Sequence, residues 1–435
     1  MKTSELRALW KLALPLGLAQ AGQALMGLVD TAILGHYTSV AQAGAGLGNS
    51  LTFTVCFFGM GVMLALDPLV AQAFGARDAV RARNAYWQGV WLALATSVGL
   101  MLVVAVTPPL LKPFGVTPEV AEAAQTYMWW RLPGIPALLL FVGARAYLTG
   151  TGQVQATFWA MVLANIANLA LSLGLVFGAG LGVAGAAVAT VLCTWLQLGV
   201  LVYALPPAPA GTRRRPDRAQ LRQALRLGAP VGLHFLAESG VFALAGLLAG
   251  RLGETQSAAH QVALNWASFT FCMTAGIGSA AAARVGWSIG ERDTPAARRT
   301  GLTAFASAAV FMVAASLLFV IFSRELASLM SKDAAVIDTV IALFFVVAVF
   351  QVSDGVQAVG AGALRGTGDT AFTFWVNLVG HWALGLPVAW ALGVRGDLGV
   401  VGLWWGLCAG LVFVAVALVV RFLFTTRRDV AALST

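Results

Sequence analysis

Twelve stretches of about twenty or more mostly apolar residues follow one another along the chain, separated by short Gly-rich or polar connections. About 20 apolar residues at 1.5 Å per residue cross roughly 30 Å of hydrocarbon, so each stretch is predicted to be a membrane-spanning helix. The spans are placed near 9–34, 46–72, 85–110, 124–148, 154–178, 183–205, 226–250, 260–283, 300–323, 336–363, 371–393 and 400–424. Only 10% of the 435 residues are charged, where a soluble domain carries about 25%, and mean hydropathy is +0.83. A soluble architecture is excluded. The first run follows Met1–Leu6 without a signal-type cleavage site and is expected to be retained as a span.

The 27 Lys and Arg residues divide unevenly when the connections are placed on alternate sides. Lys112, Arg131, Arg251, Arg324, Lys332 and Arg395 fall on one side and the other 21 on the opposite side, together with both termini. Basic connections stay in the cytoplasm, so both termini are expected inside the cell, in a bacterial inner membrane. The net charge of +9 is explained by lipid headgroups and topology rather than by nucleic acid. Cys56, Cys193, Cys272 and Cys408 lie within apolar runs at no zinc or disulfide spacing, and are expected to be small buried hydrophobes.

The two halves match each other in order. At a shift of 215, Pro15, Gly17 and Leu18 fall on Pro230, Gly232 and Leu233; Gly61 falls on Gly276, and Gly75, Arg77 and Asp78 fall on Gly290, Arg292 and Asp293. At 216, Gly150-Thr151-Gly152 falls on Gly366-Thr367-Gly368, and at 217, Leu181-Gly182-Val183 falls on Leu398-Gly399-Val400. Six spans per half give both halves the same orientation, as in parallel repeats about an axis along the membrane normal. The expected organisation is an N-terminal six-helix lobe (1–204), a Pro-, Gly- and Arg-rich cytoplasmic linker (205–218) and a C-terminal six-helix lobe (219–435). Two like-oriented lobes suit alternating access.

Chemistry is expected where charge is expensive. A carboxylate at a helix centre costs about 2.5–3.5 kcal/mol on insertion scales and persists when it faces a cavity, finds a partner or binds an ion. Glu238 and Asp354 stand near the middle of spans seven and ten, Asp30 a turn short of the outer end of span one, and Asp67 near the cytoplasmic end of span two, where it can hydrate. None of Asp30, Glu238 and Asp354 is repeated in the other half, whereas prolines and glycines are; the acids therefore read as function added to a repeated scaffold. His234, four residues before Glu238, shares its helical face. Pro15 and Pro230 are expected to kink spans one and seven, as fixed bends or as hinges. His260 and His381 are expected to be helix–helix hydrogen-bond partners.

Several stretches together resemble the multidrug and toxic compound extrusion (MATE) family, and its NorM-type branch in particular. They are Val29-Asp30-Thr31-Ala32-Ile33-Leu34-Gly35, Leu66-Asp67-Pro68 through Ala76, Phe235-Leu236-Ala237-Glu238, Ala259-His260-Gln261-Val262-Ala263-Leu264-Asn265, Ser353-Asp354-Gly355-Val356-Gln357 and Leu364-Arg365-Gly366-Thr367-Gly368-Asp369. The resemblance covers nearly the whole chain. It implies two six-helix lobes around a central cavity, with Glu238 and Asp354 binding Na⁺ or H⁺ in the C-terminal lobe, organic cations competing for those carboxylates, and Asp30 as a third motif acid. Asp67, His234, Asn165, Asn168, Gln261 and Asn265 are expected in supporting roles. The stretch Asn165 to Ser172 lacks the acid that the DinF-type branch often carries, and Asp67 is similar to the eukaryotic branch.

The expected activity is export of cationic lipophilic small molecules by antiport, with the ion as the only cofactor and a monomer as the working unit. The same two-lobe plan would also suit a flippase for lipid-linked precursors, which favours Arg in its cavity. Gly366-Thr367-Gly368-Asp369 matches a membrane aspartyl-protease pattern but lies at an expected turn without a second Asp. Zinc-protease, serine-hydrolase and Walker-type motifs are absent, so an enzyme is not expected.

Overall fold

The apolar runs fold as helices throughout the computed structural model, which describes residues 3–111, 113 and 115–433. Lys2 and Lys112, both used in the charge count, lie outside the described residues. In chain order the helices are α1 (Thr3–Tyr37), α2 (Ser39–Met63), α3 (Leu66–Gly75), α4 (Ala79–Val106), α5 (Pro118–Arg131), α6 (Gly134–Gly150), α7 (Gln155–Leu173) and α8 (Gly182–Ala204). They continue as α9 (Arg218–Arg251), α10 (Glu254–Gly290), α11 (Thr294–Ile321), α12 (Ser323–Ser328), α13 (Ala334–Thr367), α14 (Thr370–Asn377), α15 (Leu386–Trp390) and α16 (Gly399–Thr425).

The twelve-helix, two-lobe layout holds. Ten helical stretches among the described residues are each long and apolar enough to cross a membrane, and α2 and α3 form one of them. An eleventh is α5 with α6, and the twelfth is α10, 37 residues long but more polar. The expected single helix over 124–148 is instead broken after Arg131 and bent by 52°. Pro133 supplies no N–H to the helical ladder, and its ring crowds the carbonyl four residues back. At the expected kinks, α1 and α9 run through Pro15 and Pro230 without a break.

Much of the internal repeat is turn chemistry. Asp78 and Asp293 cap α4 and α11 by accepting hydrogen bonds of 2.8 Å from the N–H groups of Arg81 and Ala296. The preceding residues, Arg77 and Arg292, adopt positive φ of 58° and 61°. Gly152 and Gly368 occupy the left-handed region at 81° and 90°, where a side chain would be strained. Wider π-helical turns recur as well, at Gly174–Gly178 and Ala391–Arg395. A third, Leu378–Gly385, lies in the second half, over a stretch whose counterpart in the first half is regular α-helix.

The chain forms two compact units, Leu18–Gly232 and a second made of Leu233–Leu433 together with the chain up to Gly17. Each boundary falls two residues beyond a proline, Pro15 or Pro230. The core of the second unit gathers α9, α10, α13 and α16 around the fully buried Trp404, whose Nε1 donates to His260 Nδ1 at 3.1 Å. In the Leu18–Gly232 unit smaller clusters join α1 to α7 and α8, and α2 to α5.

Candidate functional sites

In the second unit three elements converge on one carboxylate. Glu238 lies on α9, facing Asp354 and Gln357 of α13, which are three residues apart and so share a helical face. Asn377 ends α14, and His381 follows within the unrepeated π turns. Gln357 Nε2 donates to Glu238 Oε1 at 3.1 Å and to Asn377 Oδ1 at 2.7 Å, and Asn377 Nδ2 donates to the Thr373 carbonyl at 2.8 Å. Both protons of the Gln357 amide are thereby committed, one to the carboxylate and one to Asn377, which in turn donates away from the site to the Thr373 carbonyl. Trp382 Nε1 donates to the Ala237 carbonyl at 3.0 Å, tying the π segment to α9 beside Glu238.

The acids are not locked to basic side chains. His234 Nε2 lies 3.4 Å from Glu238 Oε2, and no Lys or Arg of the described residues forms an ion pair with Glu238 or Asp354. Asp354 is 7% exposed and within electrostatic reach of Glu238. Gln357 Oε1 is buried without a hydrogen-bond partner, as are both ring nitrogens of His381, itself close enough to Glu238 for charge to act between them. Two carboxylates and a free amide oxygen form an oxygen donor set suited to a hard cation such as Na⁺, and the carboxylates alone suit H⁺.

The Leu18–Gly232 unit holds a separate pocket of about 70 Å³. Asp30 of α1 lies in its wall, 8% exposed. Its Oδ1 accepts from Ser172 Oγ at 3.2 Å, and its Oδ2 lies 2.9 Å from Thr190 Oγ1. The same hydroxyl lies 2.9 Å from the Ala186 carbonyl, so its single proton serves one acceptor at a time. Asn168 is fully buried beside Asp30, close enough for its amide to act on the carboxylate. Arg131, at the end of α5, closes another side of the pocket.

The remaining expected residues scatter. Asn165 Nδ2 donates to the carbonyls of Gly22 at 3.1 Å and Met161 at 2.9 Å, a packing role between α7 and α1. Asp67 is 5% exposed in the first turn of α3, buried rather than hydrated, because α3 continues the α2 span among other buried residues. Gln261 and Asn265 are exposed along one face of α10, with no hydrogen bond to the Glu238 cluster among the described residues. Gln357, Asn377, Ser172, Thr190 and Arg131 are functional candidates that reading by residue type passes over, and His381, expected as a helix–helix hydrogen-bond partner, stands beside Glu238 without one. A polar side chain three residues from Asp354 inside an apolar run is the signal that marks Gln357.

A family model described as MatE matches the chain twice, over residues 15–174 and 230–391. The chain is 37% identical over 434 residues to a probable multidrug resistance protein NorM of Bradyrhizobium diazoefficiens, covering 96% of this chain and 93% of that protein. It is 34% identical to the multidrug resistance protein NorM of Burkholderia vietnamiensis, covering 97% and 94%. Among solved structures, the eukaryotic MATE transporter AtDTX14 superposes with a TM-score of 0.89 at 21% identity, covering 98% of each chain.

Proposed function

Because the chain belongs to the MatE family, we propose that it is a multidrug efflux transporter driven by inward movement of Na⁺ or H⁺, exporting cationic lipophilic molecules. The observation that carries this reading is the Glu238–Asp354 pair: two buried-facing carboxylates, free of Lys and Arg partners, with an unused amide oxygen beside them. Buried charge of this kind is stable only when it is paired, protonated or bound to an ion. A lipophilic cation and the coupling ion then compete for the same negative groups. Each elementary charge returning inward across the membrane contributes about 2.3 kcal/mol per 100 mV. Relatives named for multidrug resistance support efflux over the lipid-precursor flippase.

The proposed setting is a bacterial inner membrane with both termini in the cytoplasm; the basic connections and the even number of spans support that orientation. Asp30, hydrogen-bonded through Ser172 and Thr190, is a second ion-handling carboxylate in this scheme. The test uses proteoliposomes loaded with a cationic dye, with a Na⁺ gradient or a pH gradient imposed one at a time. One gradient is expected to drive dye movement in the wild-type protein, and combining Glu238→Gln with Asp354→Asn is expected to reduce the rate at least tenfold. Undiminished gradient-driven transport in the double variant sinks the proposal.

A further inference from the structure

Topology by charge counts Arg131 on the outer side, within the span expected over 124–148. The structure buries it. Arg131 is 7% exposed, and its Nε and Nη1 have no hydrogen-bond partner. The break before Pro133 ends α5 at this residue and turns the chain by 52°, which leaves the guanidinium directed into the pocket instead of past it. The Pro133 carbonyl accepts from Trp195 Nε1 at 3.1 Å, so the turn is held against α8. The guanidinium carbon lies 5.9 Å from the ring centres of both Phe53 and Tyr127, at the outer limit of cation–π contact.

An arginine keeps its charge in any protein environment, so burial leaves a fixed cation with the donors of Nε and Nη1 unused. Asp30 shares the pocket and is near enough for the two charges to act on each other, yet the pair does not meet as an ion pair. The Asp30 oxygens are instead engaged by the hydroxyls of Ser172 and Thr190. The pocket thus presents one positive and one negative group with a gap between them. Guanidinium matches a carboxylate in charge and geometry, and the lining of one pocket offers it together with Asp30.

Resting on the efflux reading above, we propose that Arg131 is a specificity-determining residue that receives the carboxylate of zwitterionic substrates, whose cationic part faces Asp30. A molecule with both charges gains at this pocket relative to its ester, which presents only the cation.

The test compares a rhodamine bearing a free benzoate with its own methyl ester, two dyes that differ in one charge. Binding to purified protein is read by fluorescence anisotropy, and efflux is read in proteoliposomes under the driving gradient. The wild-type protein is expected to bind the acid several-fold more tightly than the ester. Arg131→Gln is expected to weaken the acid at least tenfold and the ester less than twofold, and Arg131→Lys, which keeps charge without the fork, to fall between. Retained ester binding is the internal control for folding. Equal weakening of both dyes, or no change in either, overturns the assignment, as does equal affinity of the wild-type protein for acid and ester. That last comparison needs no variant to fold. Selective binding without gradient-driven movement of either dye would leave the Arg131 subsite standing and refute the efflux reading instead.

Discussion

Gln357 is the side chain on which the second-unit site turns. Its amide is used in one sense only, because Asn377 offers an oxygen and Glu238 accepts. Gln357→Ala removes donors from both, and leaving such buried groups unsatisfied costs about 1–3 kcal/mol. The variant is expected to melt at lower temperature in detergent and to lose coupling efficiency, measured as dye exported per ion imported. Gln357→Glu is the sharper variant, since it places a third acid beside Glu238 and Asp354, and weaker transport at neutral pH is expected. At Asp369 the opposite outcome is expected. Its partly exposed pairing with Arg421, 2.7 Å from Nε to Oδ2, contributes at most about 1 kcal/mol. Asp369→Ala is therefore expected to leave both the melting temperature and efflux nearly unchanged, as a turn residue should and a protease residue should not.

Among the elements, α10 and α13 approach most closely through glycine. A Cβ on Gly362 would collide with the Gly278 carbonyl oxygen, and one on Gly278 would lie 2.7 Å from the Ala358 carbonyl oxygen. Because the obstacle is backbone, neither helix can yield by rotating a side chain. Gly362→Ala is expected to destabilise by about 1–3 kcal/mol, visible as a lower melting temperature, and to disturb Gln357 and Asp354, between one and three turns away on the same helix. Helix positions were largely legible in the sequence because apolarity over twenty residues is a property of residue type. The carboxylate candidates were legible for the same reason: Asp30, Glu238 and Asp354 stand out against apolar neighbours. The break at Pro133 was visible as a proline but not as a bend, since α1 carries Pro15 without interruption. Whether a proline interrupts depends on what satisfies the freed carbonyl. Arg131 escaped for a related reason: the charge count uses it only as a marker of side, and the bend that directs it into the pocket is not visible in the sequence. The polar face of α10 is likewise given a supporting role by motif alone, while the structure leaves Gln261 and Asn265 exposed and without a hydrogen bond to the acids among the described residues.

At the scale of the whole molecule the repeated glycines acquire a reason that sequence comparison does not supply. A Cβ on Gly61 would meet Gly232, and one on Gly276 would meet Gly17. These four positions are two pairs related by the same shift of 215, so each contact is the counterpart of the other. In both cases a segment ending just beyond a proline packs into the unit that contains the other half's second span. Gly276→Val is expected to loosen the Ala13–Gly17 stretch, read as faster amide hydrogen exchange there and around Met273, whose side chain crowds Gly17. Exchange within Leu18–Gly232 away from α1 is expected to stay as in the wild type. Uniform loosening of both units would contradict a role for Gly276 within its own unit.

The division at Gly17 and Gly232 has a consequence for how the protein is made. A ribosome adding about 5–20 residues per second delivers the opening helical segment first, yet the unit it belongs to begins only at Leu233. That segment must then wait, on the order of ten to forty seconds at those speeds, for its partners to emerge. Meanwhile the Leu18–Gly232 unit lacks its last piece until translation passes the Arg-rich linker. What is synthesised first is packed last.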